Sequence, residues 1–194
     1  MKINILTTLI LGASLSLAIP TFAEDLKSDK TPVTNTSAGE PATASDVAAD
    51  TRFMENATQV NWTEVKLGEL ARSRTQRADV KAYAELIIQH HKNAQQSLKE
   101  IMSKVNTALP KDITTEQQAA IDDLKRTADA DFDRMFVKRM VVDHEKGVAL
   151  YEAFIGSTKS PELKNYANIT IDHMRLHLQK AEELAKAIGG VAAK

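Results

Sequence analysis

The chain has 194 residues, 43% of them hydrophobic and 26% charged, with a formal net charge of −1. Near-neutrality excludes the large basic field that nucleic-acid phosphates require, so no nucleic-acid partner is expected. The absence of Cys excludes a disulfide framework and any thiolate metal site, and 7 Gly with 5 Pro are few for a turn-rich β protein, which leaves helix as the expected class.

Residues 1–23 read as a signal peptide. Lys2 supplies the positive start, residues 5–19 form a mostly apolar run, and Thr21-Phe22-Ala23 ends it at a small-residue cleavage pattern. The run is short for a membrane span, which needs about 20 apolar residues. The mature chain is therefore expected to be exported, periplasmic and without a membrane span. Residues 24–50 are rich in Thr, Ser, Ala, Asp, Lys and Pro. Such a segment buries too little apolar surface to offset ordering entropy, so a disordered linker is expected.

From residue 51 to 190 the pattern turns helical, and 191–194 is left as a tail. A first helix over about 51–73 carries Phe53, Ala57, Val60, Glu64, Leu67 and Ala71 on one stripe, with Asn61 one turn before Glu64. A second, over about 79–106, carries Val80, Ala84, Ile87, His91, Ala94, Leu98, Ile101 and Val105, with His90 beside the stripe. Pro110 follows its end. Thr114-Thr115-Glu116-Gln117 resembles a capping box, but the polar stretch up to Asp131 leaves open whether a separate helix follows. The main helix covers about 132–154. Its expected stripe is Phe132, Phe136, Met140, Asp143, Gly147, Leu150 and Phe154, with His144 at the edge. Ser160 and Pro161 open the last helix, whose stripe runs from Leu163 through Thr170, Met174 and His177 to Ile188, before Gly189-Gly190 stops it.

The two halves repeat at an offset of about 83 residues. Val80-Lys81-Ala82-Tyr83-Ala84 matches Leu163-Lys164-Asn165-Tyr166-Ala167, and His90 matches His173. The expected architecture is an all-α four-helix bundle built from two similar helical hairpins.

Level counting from the two turns places all five histidines in one central slab. These are His90, His91, His144, His173 and His177; Glu64 and Asp143 are expected to join them. Imidazoles with carboxylates suit a transition metal ion such as zinc, iron, manganese or copper. All seven residues are therefore candidate metal ligands or their hydrogen-bonding supports. Met140 and Met174 flank the layer as core filler; as soft ligands they would favour copper. The di-iron pattern is absent, because Ile87 and Thr170 stand where Glu-x-x-His would need Glu. No nucleophile elbow or Gly-rich phosphate loop occurs.

The residues Phe53-Met54, the run Glu64 to Ala71, Val80 to Ala84, Met140 to Lys146 and His177-Leu178 together resemble a bacterial family of exported, ferritin-like proteins, domain-of-unknown-function family 4142. The resemblance covers about residues 52–184 and implies a ferritin-like bundle outside the cytoplasm, without implying an activity. One departure is His90-His91, where that family commonly carries Asp-His. The leading expectation is a periplasmic metal-binding bundle serving metal handling or envelope stress. The competing expectations are a metal-free structural or protein-interaction module and a metal-dependent redox enzyme.

Overall fold

The structure, a computed structural model, describes residues 41–105 and 107–189. The expected signal peptide, most of the expected linker and the tail lie outside those residues. The described residues form five helices: α1 (Ala44–Arg74), α2 (Ala78–Lys104), α3 (Thr115–Arg126), α4 (Asp129–Ser157) and α5 (Pro161–Ala187). The class is all-α, and four long helices make the bundle.

α1 begins at Ala44 rather than near residue 51, so the last part of the expected linker is helical. A capping box explains the earlier start. The Asp46 N–H donates to Thr43 Oγ1 at 3.2 Å, and the Thr43 N–H donates to Asp46 Oδ2 at 2.8 Å. Two of the four orphan donors of a helix start are thus satisfied. Periodicity missed this turn because it carries no apolar stripe; Val47 is exposed.

The polar stretch before α4 is a separate helix, α3. Its own capping box pairs Thr114 with Gln117, as the sequence indicated. Arg74, at the end of α1, closes the other end of α3. Its guanidinium donates to the carbonyls of Leu124, Lys125 and Thr127, pairs with Asp129, and lies 4.3 Å from the Phe132 ring centroid. One cation therefore satisfies orphan carbonyls of α3 and holds the first turn of α4.

The repeat reappears in the turns. Thr75 and Thr158 are the C-caps of α1 and α4, with φ, ψ of −68°, 141° and −64°, 139°. Each Oγ1 accepts the N–H two residues on, Arg77 or Ser160, at 3.1 Å. Two like turns thus close two like hairpins, α1–α2 and α4–α5, which pack side by side through α2 on α5 and α1 on α4.

Two apolar cores occupy opposite ends of the bundle. One joins Leu67, Ala71, Val80, Ile87, Phe136, Val137 and Ala181. The other joins Phe53, Ala57, Leu98, Phe154, Leu163 and Ala167. The first core holds the end of α1 and the start of α4, so the chain from α2 to α4 must return along the whole bundle. One long crossover is the ferritin-like connection, and α3 lies within it.

Gly68 lies where α1 and α2 come together. A Cβ there would sit 2.8 Å from Ile88 Cγ1 and 3.1 Å from the Ala84 carbonyl oxygen. Gly68→Ala should therefore destabilise the domain by about 1–2 kcal/mol in urea unfolding, although Ala is the better helix former.

Candidate metal centre

Between the two cores lies a polar layer to which each long helix contributes one fully buried group: Asn61 from α1, His91 from α2, His144 from α4 and His177 from α5. All four are at most 2% exposed. One ligand nitrogen each from His91, His144 and His177 lies within 4.8 Å of the others. In a tetrahedral zinc site, with bonds of about 2.0–2.1 Å, such nitrogens stand roughly 3.4 Å apart. The trio thus stands near ligand geometry, at most about 1.4 Å looser than that spacing.

The hydrogen bonds fix where the lone pairs point. His144 Nδ1 lies 2.9 Å from the Met140 carbonyl oxygen, which can only accept. Nδ1 therefore carries the proton and Nε2 a lone pair. That Nε2 lies 3.1 Å from His177 Nδ1, which must donate to it. His177 Nε2 is left as an acceptor, 2.9 Å from His90 Nδ1. On α2, His91 Nδ1 donates to Asn61 Oδ1 at 2.9 Å, while Asn61 Nδ2 donates to Gln95 Oε1 and the Tyr166 hydroxyl. The remaining nitrogen, His91 Nε2, is buried without a partner. An unmet polar atom in this setting costs about 1–3 kcal/mol.

This arrangement fits a metal ion. Metal-binding imidazoles commonly donate their other N–H to a carbonyl or a similar acceptor, which fixes the tautomer and raises basicity. His144 and His91 already do so. Burial pushes the pKa of all three rings down, and neighbouring imidazoles push His91 and His177 down further. The rings are therefore neutral at pH 7, the form that binds a cation.

The other expected residues fall in two groups. His90 and His173 join the layer from its edge, half-buried, with rings stacked at 4.1 Å between centroids. All five histidines thus share one slab. The carboxylates stand apart from the trio. Asp143 is not on the dry stripe of α4 but at its border, ion-paired with Arg139 four residues earlier. His144 takes the inward position instead, and Leu150 is exposed. Along α4 the buried face follows Phe136, Met140, His144, Tyr151 and Phe154, so the apolar stripe is rotated from the one expected. Gly147 faces Met174, whose Cε a Cβ there would meet at 2.2 Å.

Glu64 is buried as expected, but it faces Asp143 and Arg139 across a cavity of about 190 Å³ also lined by Thr63 and Gln117. Its Oε2 has no partner. Burial, and then the Asp143 charge, push its pKa up to about 8, against an opposing effect of Arg139.

Sequence reasoning did not foresee the Tyr83 hydroxyl donating to the His177 carbonyl at 3.2 Å, nor the Tyr166 and Gln95 contacts to Asn61. The shared Lys-x-Tyr-Ala of the repeat was the available signal for both tyrosines. The Met140 carbonyl is backbone and leaves no trace in the sequence.

The fold and the layer define an all-α bundle of ferritin-like type with a buried histidine centre. The chain belongs to the DUF4142 family, a domain of unknown function, whose family model matches residues 19–184. A similar solved structure is the crystal structure of a DUF305 fragment from Deinococcus radiodurans. It shares 17% identity at a TM-score of 0.64, over 77% of this chain and 99% of that one, and so supports the fold. No curated protein matches the chain.

Glu64 generates a signed pH dependence. In the unfolded chain it ionises near 4.5, whereas in the folded protein it keeps its proton to about 8. It thus opposes folding increasingly as pH rises from 4.5, with the full penalty above 8. Glu64→Gln should gain at least about 2 kcal/mol over the parent at pH 8 and almost nothing at pH 4.5, as read by urea unfolding across that range.

Proposed function

We propose that this protein is an exported metal-binding bundle in which His91, His144 and His177 hold one transition metal ion. The observation that carries this reading is the convergence of three neutral, buried imidazoles, one of them with an unpartnered nitrogen aimed into the layer. An all-imidazole donor set suits zinc or copper better than manganese, which prefers oxygen ligands. When bound, the ion would supply Lewis acidity or redox capacity at the layer. The protein itself holds the rings, keeps them neutral and excludes water with an apolar core on either side. Export rests on the signal-like residues 1–23, and a role in metal handling at the cell envelope follows from that placement. Among the described residues, no helix is long and apolar enough to cross a membrane.

One observation favours a second reading, a metal-free structural module. The chain from His90 through His177 and His144 to the Met140 carbonyl closes by hydrogen bonds alone. Of the six ring nitrogens of the trio, only His91 Nε2 has no partner.

Elemental analysis of the protein purified without a polyhistidine tag separates the two. About one equivalent of metal per chain is expected, lost in His144→Ala and in the milder His91→Gln. Zinc added to metal-stripped protein should raise Tm by about 5 °C or more and leave both variants unmoved. If no metal co-purifies and neither zinc nor copper shifts Tm, the hydrogen-bonded core stands in place of the metal site. Mass spectrometry of periplasmic extracts tests export: the chain should begin after residue 23.

A further inference from the structure

The buried trio has no opening of its own, since each of its rings is at most 2% exposed. The layer meets one groove at Asn61, edged by Lys66, Lys92 and Lys99, and another where α2 meets α5. There His173 lines a groove of about 230 Å³ together with Glu100, Glu162 and Asn165. His173 is half-buried, and its ring stacks on His90 with an interplanar angle of 26°. His90 Nδ1 in turn lies 2.9 Å from His177 Nε2, and His177 Nδ1 lies 3.1 Å from His144 Nε2. An unbroken file of imidazoles therefore runs from an acid-edged groove to the deepest point of the bundle.

We propose that His90 and His173 form an outer capture site for a transition metal ion, which they pass to the buried trio through His177. This inference rests on the metal-binding reading above. Two features support it. The groove carries the carboxylates Glu100 and Glu162 against the single cation Lys104, which favours cation entry. His90 and His173 are equivalent positions of the repeat and stack where the two hairpins pack, with His173 on the groove wall and His90 between it and His177.

His177 lies between the two sites with one nitrogen facing each. A neutral imidazole has a single lone pair, so it serves one side at a time. In the arrangement seen here that lone pair is on Nε2, toward His90. For the ring to bind inward through Nδ1, the Nδ1 proton is released to solvent, the His90 Nδ1 proton moves to His177 Nε2, and His90 takes one proton from solvent at its own Nε2. One proton is released and one is taken up, so both rings stay neutral. The consequence is one ion per chain, captured outside and retained inside.

The test follows the kinetics of loading. Metal-stripped full-length protein is mixed with Zn²⁺ in a stopped-flow instrument, and uptake is followed by competition with a fluorescent zinc chelator. His173→Gln is expected to slow loading by about tenfold or more, with equilibrium affinity within about threefold and one ion bound. His173→Cys, which restores a surface ligand, should recover most of the rate. His173 is half-exposed, so both variants should fold, and circular dichroism checks this. An unchanged loading rate in His173→Gln and in His90→Gln overturns the relay while leaving the buried site intact. A loss of affinity in step with the rate also overturns it, since His173 would then belong to the retained site. A parent protein that takes up no zinc, copper or other transition metal overturns the metal-binding reading itself, and the relay with it.

Discussion

Four polar side chains that no solvent reaches set the terms for this bundle. Neutral imidazoles and an amide in a dry interior are tolerable only if their nitrogens and oxygens find partners. Here Asn61 positions His91, the Met140 carbonyl positions His144, and His144 positions His177. Each partner comes from a different turn or helix. A shift of α1, α2 or α5 along its axis would strand several of these groups at once, and a shift of α4 would part His144 from His177. The layer therefore fixes the register of four helices that leucine-like packing alone would leave free to slide.

The scaffold is nearly symmetric, while its centre is not. At the offset of the repeat, Thr75 answers Thr158, Tyr83 answers Tyr166 and His90 answers His173. The buried ligands break the rule: Met174 stands where His91 would repeat, and Ala94 where His177 would. Equivalent positions thus build the hairpins and their turns, and the non-equivalent ones build the site. One consequence is that the trio takes one ring from the first hairpin and two from the second. The one long helix without a ring in it, α1, contributes the amide that holds His91.

The carboxylates form a second electrostatic region on another side of the layer. Asp143 is committed to Arg139, and that pairing draws it to the border of α4. Glu64 then faces a carboxylate rather than an imidazole, and in a dry position it keeps its proton. A protonated carboxyl is a poor metal ligand, which separates this pair chemically as well as spatially from the histidines.

Much of the architecture was legible in the chain. Apolar spacing marked four long helices, the Thr114–Gln117 and Ser160-Pro161 signals marked two starts, and the repeat marked two hairpins. Counting from the turns brought five distant histidines to one height, because rise per residue is a local constant of the helix. What local rules do not contain is rotation about the helix axis. On α4, Asp143 and His144 stand about 100° apart, and either could face inward by periodicity. Only the packing of α4 against α5 and α1, with Arg139 at hand to take the charge, turned the imidazole in and the carboxylate out. The same limit hid the early start of α1, fixed by a cap and not by a stripe, and the tautomers of the rings, fixed by a backbone carbonyl that every residue possesses.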